Sequence, residues 1–247
     1  MDEADLICYF IYGLFDMAKN KLTINELRAK FPAALDYLSE IFLINRDYGE
    51  VMNIRLSKRL GVSKPAVTQA INRLKRLALA EQSLYGSINL TSKGRALAAQ
   101  ILKRHYLIEH LLIRKLDYPW EKSDEEAKRI QVSISDEFTD YLYEIFNKPL
   151  TCPHGNPFPG AEIEKKLISA PRISAIKKEA EISILRITEE GEALDGLLRF
   201  CNSFQLRPGA KVLVIPEEDK FFLKTEDRKI ELPKNYAGFI CYERLDL

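Results

Sequence analysis

A chain of 247 residues with 46% hydrophobic and 30% charged side chains is long enough for one large domain or two to three small ones, and its composition excludes a fibrous or low-complexity protein. Lys and Arg (37) nearly balance Asp and Glu (36), so the net charge of +1 by itself says nothing about a nucleic-acid partner. The four cysteines, Cys8, Cys152, Cys201 and Cys241, form no CxxC pair. That pattern argues against a zinc knuckle, and without a secretory signal the expectation is reduced thiols in the cytoplasm.

The most apolar early run, residues 6–15, is about half the ~20 residues that a membrane span needs, so a buried helix and no membrane association are expected. Residues 22–31 read as a second short helix. From 34 to 44, Leu35, Leu38, Ile41 and Phe42 share one helical face. Residues 53–60 form a short helix stopped by Gly61. Ser63 caps the next helix, with Pro65 in its first turn. Residues 81–90 read as a two-stranded hairpin turning at Tyr85-Gly86-Ser87. Thr91 caps a long helix to about 116, and two more helices follow at 121–132 and 135–146. Four prolines and two glycines between 148 and 160 end the helical block. Strand-like runs then come at 182–187, 211–215, 221–224, 229–232 and 239–243, with one helix near 193–204.

Charge is unevenly distributed along these elements. Residues 54–116 hold thirteen Lys or Arg against Glu81 and Glu109, a local charge of +11. Residues 117–144 reverse the sign, with nine acids against Lys122, Lys128 and Arg129. A polyanion-binding part is thus joined to a part with another task. Helix, glycine turn, capped second helix and hairpin is the layout of a winged helix-turn-helix. Its second helix would offer Ser63, Lys64, Pro65, Thr68 and Gln69 to base edges in the major groove. Arg55, Lys58, Lys64, Arg73 and Arg76 are candidates for phosphate contacts, which supply affinity and register. The competing explanation is a helical hairpin with a solvated basic face. An enzyme is not expected: there are three histidines, no glycine-rich phosphate loop and no nucleophile elbow.

The runs LSKRLGVSKPAVTQAINRLKRLALA, INLTSKGRALAAQILKRHYLIEHLL, the SDE of residues 135–137 and CPHGNPFPG at 152–160 resemble the diphtheria toxin repressor/manganese transport regulator family. The resemblance covers residues 34–160, and LRPGAKVLVI at 206–215 looks like the SH3-like (FeoA-type) domain of its longer members. It implies a mainly α fold with a small β domain. The expected parts are an N-terminal helical extension (1–33), a winged helix-turn-helix (34–98), a helical dimerisation and metal-binding domain (99–168) and an SH3-like barrel (169–247). It also implies a homodimer on a palindromic double-stranded DNA operator, with Fe(II) or Mn(II) as corepressor.

The ligands that the resemblance implies are carried over one at a time. His105 and Glu109 match a family pair, and four residues apart on a helix they share a face. Asp124 falls where a third ligand, usually His, is found. Asp36 matches a position on the first family helix. Glu192 and Asp195 are candidates from the SH3-like domain. At the family's other site, Lys128, Gln131 and Val132 stand at three ligand positions, and Ser39 replaces the Glu of manganese-type members. An ammonium has no acceptor and repels a cation, so that site reads as eroded. Three readings stay open. The His105–Glu109–Asp124 group binds an ion that tunes the domain arrangement; the protein is metal-blind, with Lys128 supplying the missing charge beside Asp36; or His105 and Glu109 make ordinary surface hydrogen bonds. A dimeric scaffold or metal buffer without operator specificity is the alternative of a different class. Cys152 and His154 are expected to serve a structural turn, His110 to be a surface or partly buried residue, and Trp120 to be a core anchor.

Overall fold

The computed structural model describes residues 22–83, 86–225 and 228–245. The apolar run at 6–15 and the Leu84-Tyr85 part of the hairpin turn lie outside the described residues. Helix α1 (Ile24–Lys30) starts at a capping box in which Thr23 and Glu26 each satisfy the other's backbone N–H. Helix α2 (Ala34–Tyr48) runs four residues beyond the apolar stretch read from the sequence. Its extra turn is held by partners in the C-terminal domain, which periodicity does not reveal.

Helix α3 (Asn53–Leu60) stops at Gly61, whose left-handed conformation (φ 64°) turns the chain. Ser63 caps α4 (Lys64–Arg76), with its hydroxyl accepting from the Ala66 N–H. Strands β1 (Ala80–Gln82) and β2 (Ile88–Leu90) pair antiparallel. Thr91 then caps α5 (Ser92–Leu116), the long helix of the middle domain. After a 3₁₀ turn at Trp120–Lys122 come α6 (Ser123–Ile130) and α7 (Asp136–Ile145), the latter capped by Ser135. One apolar core runs continuously from Ile24 to Phe158 beneath these helices.

Helix α8 (Glu164–Ser169) leads into a five-stranded antiparallel sheet of order β6-β5-β4-β3-β7. Its strands are β3 (Ala180–Ile187), β4 (Lys211–Pro216), β5 (Lys220–Lys224), β6 (Lys229–Pro233) and β7 (Ile240–Arg244). The expected architecture, helical with a small C-terminal β domain, is therefore present. The helix expected near 193–204 is present as α10 (Leu197–Ser203), entered at Gly196 with φ 80°, and a further one-turn helix not expected from the sequence, α9 (Glu189–Glu192), precedes it. Trp120 packs into the core of the C-terminal domain rather than that of its own helices, and its indole N–H donates to the Pro153 carbonyl. The β3–β7 register slips between Ile184 and Arg186. Such a bulge re-aims a side chain, and Arg186 is among the most buried residues of the molecule.

Candidate metal cluster and nucleic-acid interface

The winged helix is braced by its own polar side chains. Asn53 at the start of α3 donates to Thr68 on α4 and accepts from Gln82 on β1. Ser87 accepts from the Val51 N–H, which ties the second strand to the entry of α3. Ser63, Lys64, Pro65, Thr68 and Gln69 all face solvent along the first turns of α4. Arg55 and Arg73 are engaged within the protein. Arg55 stacks 3.8 Å from the Tyr48 ring, and Arg73 donates to the Lys30 carbonyl beside the Phe31 ring.

The middle and C-terminal domains meet at a group of seven buried side chains. Helix α5 supplies His105 and Glu109, α6 supplies Asp124, the Pro/Gly loop supplies Cys152 and His154, and α9 supplies Glu189 and Glu192. Glu109 Oε1 lies 3.2 Å from His105 Nε2 and 3.2 Å from His154 Nδ1. His105 Nε2 is also 3.2 Å from Asp124 Oδ1, and His154 Nδ1 is 3.4 Å from Glu192 Oε2. Ligand atoms fall within 4.8 Å of one another in three overlapping sets: Glu109 with Cys152 and His154, His105 with Glu109 and Asp124, and Asp124 with Glu189 and Glu192.

Despite these distances, His105 Nε2, both Glu109 oxygens, Asp124 Oδ1, His154 Nδ1 and Glu192 Oε2 are buried without a hydrogen-bond partner among the described residues. Buried polar groups are ordinarily paired, so their convergence on one space marks a place for a ligand. Imidazole, carboxylate and thiolate donors suit a divalent transition metal. Burial opposes charge on His105, but Glu109 and Asp124 outweigh it and raise its pKa to about 10. His154 is likewise raised to about 10 by Glu192 and Glu109 against burial. Burial pushes the Cys152 thiol up. For Glu109 the two imidazoles overcome burial and lower the pKa to about 2.

Several sequence expectations need correction. Asp195 is exposed and outside the cluster, because the chain turns outward after Glu192 and leaves only the Asp195 carbonyl engaged, by the Tyr236 hydroxyl. The ligand-type residue on this element is Glu189, three residues before Glu192 and on the same face. Cys152 and His154 belong to the cluster as well as to a turn. His105 and Glu109 are buried, so ordinary surface hydrogen bonding does not describe them. His110 is also buried, 2.8 Å from the Thr151 carbonyl, and burial lowers its pKa to about 4. Asp36 joins no ligand group among the described residues. It lines a cleft of about 270 Å³ with Ser39, Glu40, Arg59, Lys128 and Gln131. The signals available in the sequence were the Cys-x-His spacing inside a proline-fixed loop and the Glu189/Glu192 spacing just after a strand.

Residues 91–160 match the family described as "Iron dependent repressor, metal binding and dimerisation domain". The diphtheria toxin repressor of Corynebacterium jeikeium (strain K411) is 26% identical over 230 residues, covering 85% of this chain and 96% of that protein. The crystal structure of T. acidophilum IdeR is 30% identical, covers 85% of this chain and 97% of that chain, and superposes with a TM-score of 0.68. A manganese-dependent transcriptional repressor in complex with manganese shares the fold at TM-score 0.74 and 24% identity, covering 86% of this chain and 100% of that chain. The class so defined is that of transcriptional repressors, not enzymes. The chain belongs to the iron-dependent, or diphtheria toxin, repressor family.

Proposed function

We propose that the chain is a homodimeric DNA-binding transcriptional regulator of metal homeostasis. Its affinity for a palindromic operator is set by Mn(II) or Fe(II) held in the buried cluster. The observation that carries this reading is the convergence of six unpartnered polar atoms from His105, Glu109, Asp124, His154 and Glu192, behind a braced winged helix. Glu109, Cys152, His154 and Glu192 form one side of the ligand set, and His105, Asp124 and Glu189 the other. A bound divalent ion supplies positive charge among carboxylates that otherwise repel one another. The chain's own residues do the rest. α5 fixes His105 and Glu109 on one face, the Pro/Gly loop sets His154, and α9 brings the two C-terminal carboxylates in.

The second site of the family does not fit an ion here. Lys128 Nζ is bonded to Asp124 Oδ2 at 2.8 Å, and Val132 packs against the core while its carbonyl accepts from Arg28. No regulatory step is therefore assigned to a metal at that place. Lys64, Lys58 and Arg76 are exposed on the winged helix, which suits phosphate contact, while Ser63, Pro65, Thr68 and Gln69 would read bases. For the dimer, α7 and the following loop expose Phe138, Tyr141, Ile145 and Leu150. A contiguous apolar face of this kind marks an association surface. No helix among the described residues is long and apolar enough to cross a membrane, which is compatible with a cytoplasmic regulator.

The test is a titration of metal-stripped protein with Mn(II) and Fe(II), with binding to genomic DNA fragments measured at each ratio. Tight uptake with a parallel gain in DNA affinity supports the reading. Uptake with no DNA binding at any ratio favours a metal buffer.

A further inference from the structure

Glu189 and Glu192 each have a second set of partners, turned away from the cluster. Glu189 Oε1 accepts from the Tyr106 hydroxyl, and Arg46 Nη2 lies 4.0 Å from the same oxygen. Arg46 also approaches the Tyr106 oxygen at 3.4 Å and donates to the Pro157 carbonyl at 3.3 Å. Glu192 Oε1 accepts from the Asn156 amide, and Asn156 Oδ1 accepts from Arg186 Nη1 at 2.8 Å. Arg186 Nη2 pairs with Asp47 Oδ1 at 3.3 Å. The two routes start one helical turn apart on α9 and end on adjacent residues, Arg46 and Asp47, in the last turn of α2. Every charged side chain along them is at most 6% exposed.

The next residue continues the path. Tyr48 donates to Glu190 on α9, and its ring carries the Arg55 guanidinium of α3. The end of α2, the turn at Gly49 and the start of the helix-turn-helix are thus all tied to one short element of the C-terminal domain. That element is itself rigidly seated, because Thr188 caps it and the Thr188 N–H bonds to the Phe239 carbonyl.

We propose that this double linkage, Glu189–Tyr106–Arg46 and Glu192–Asn156–Arg186–Asp47, makes the C-terminal domain the transmitter between the metal cluster and the DNA-binding domain. The inference rests on the metal-regulator reading above. Glu192 serves two clients, with Oε2 toward His154 and Oε1 toward Asn156, and Glu189 lies within ligand distance of Asp124 and Glu192 while its Oε1 accepts from Tyr106. On metal loading both carboxylates are drawn into a fixed orientation together, because they share one turn of helix. A buried charge cannot be left behind by its partner without a large penalty, and packed interiors pass small displacements on rather than absorb them. Arg46 and Asp47 therefore follow, and residues 46–55 with them. What the linkage moves is the placement of the winged helix, not the reading residues themselves.

Hydrogen exchange on the wild-type chain with and without Mn(II) gives a readout that needs no DNA. Backbone amides of residues 44–60 should gain at least tenfold protection on Mn(II) binding. The same measurement on Arg46→Met and Arg186→Met should show Mn(II) uptake retained but that gain reduced to under threefold, with Arg46→Lys restoring part of it. A duplex selected from random sequence by the Mn(II)-loaded wild type supplies the second readout, and its metal-dependent gain in affinity should fall at least tenfold in both Met variants. The inference is overturned if folded variants that bind Mn(II) keep the wild-type gains. It is equally overturned if the wild type binds Mn(II) with no change at residues 44–60, a result that does not depend on either variant folding. A wild type that gains protection but never binds DNA would instead sink the regulator reading and leave the linkage standing.

Discussion

Gly155→Ala separates the role of His154 as a ligand from its role in a turn. Gly155 has φ +91°, and a Cβ there would sit 2.2 Å from the Leu185 carbonyl oxygen and 2.8 Å from Arg186 Cα. Reaching the 3.4 Å lower edge of ordinary contact requires the loop to withdraw from β3 by about 1.2 Å. Left-handed backbone at alanine and forced repacking together cost about 2–4 kcal/mol. The neighbouring His154 carbonyl accepts from the Ile187 N–H of β3 at 2.9 Å, a bond that withdrawal of the loop from β3 would stretch or break as it carries His154 along. Metal sites tolerate ligand displacements of about 0.2 Å. His154 Nδ1, now 3.2 Å from Glu109, would leave the ligand set, and Mn(II) affinity should fall at least ~10–100-fold, the loss seen even for outer-shell changes. Gly160→Ala is the control. It has φ +81° but nothing within 4 Å of a new Cβ, so it should cost ~1 kcal/mol and leave affinity unchanged. Calorimetric Mn(II) titration with melting temperatures on both variants decides the matter. A folded Gly155→Ala protein that binds Mn(II) like the wild type would refute His154 as a ligand.

Stability without metal should depend on pH in a defined sense. His105 and His154 titrate near 10 in the fold against 6.5 when unperturbed, so their stabilisation is complete below pH 6.5 and is lost as pH rises toward 10. Glu109 is lowered from 4.5 to about 2, so its share is present above pH 4.5 and is lost on acidification toward 2. Melting temperature in chelator should therefore fall between pH 6.5 and 9, while the increment given by saturating Mn(II) grows over the same rise; below pH 6.5 buried His110, lowered to about 4, loses its own contribution on acidification. A flat profile would contradict the coupled buried histidines. Lys128→Met removes a cation bonded to Asp124, and with like charges repelling, Mn(II) affinity should rise at least tenfold by calorimetry; a loss would mean that the ammonium's main effect is to orient Asp124. Tyr141→Asp with Phe138→Asp places charge on the exposed apolar face of α7 and should convert dimer to monomer in analytical ultracentrifugation with the helical content intact. A dimer that persists would place the interface elsewhere.

Elements with local causes were legible in the sequence. The α3–turn–α4 unit and the Thr91 cap each rest on a few adjacent residues, and they fall where spacing and capping chemistry put them. His105 and Glu109 could be paired because the family resemblance points to both and their helical spacing puts them on one face. The rest of the cluster is tertiary. Cys152, His154 and Glu189 join it only when the Pro/Gly loop folds back on β3 and α9 docks against α5, contacts that have no period. Asp195 failed for the same reason. Proximity in sequence to Glu192 did not survive the end of α9 at Glu192, capped at Ala193. The last turn of α2 was missed because Arg46, Asp47 and Tyr48 are polar and are held by the C-terminal domain.

The central claim is that DNA affinity is governed by metal in the buried cluster, and affinity for genomic DNA fragments in chelator and in Mn(II), at two salt concentrations, tests it most directly. The account predicts metal-dependent binding that weakens with salt as phosphate contacts must, and that is abolished by Glu109→Gln in the presence of Mn(II). Binding of equal strength in chelator and in Mn(II), unchanged by Glu109→Gln, would contradict it.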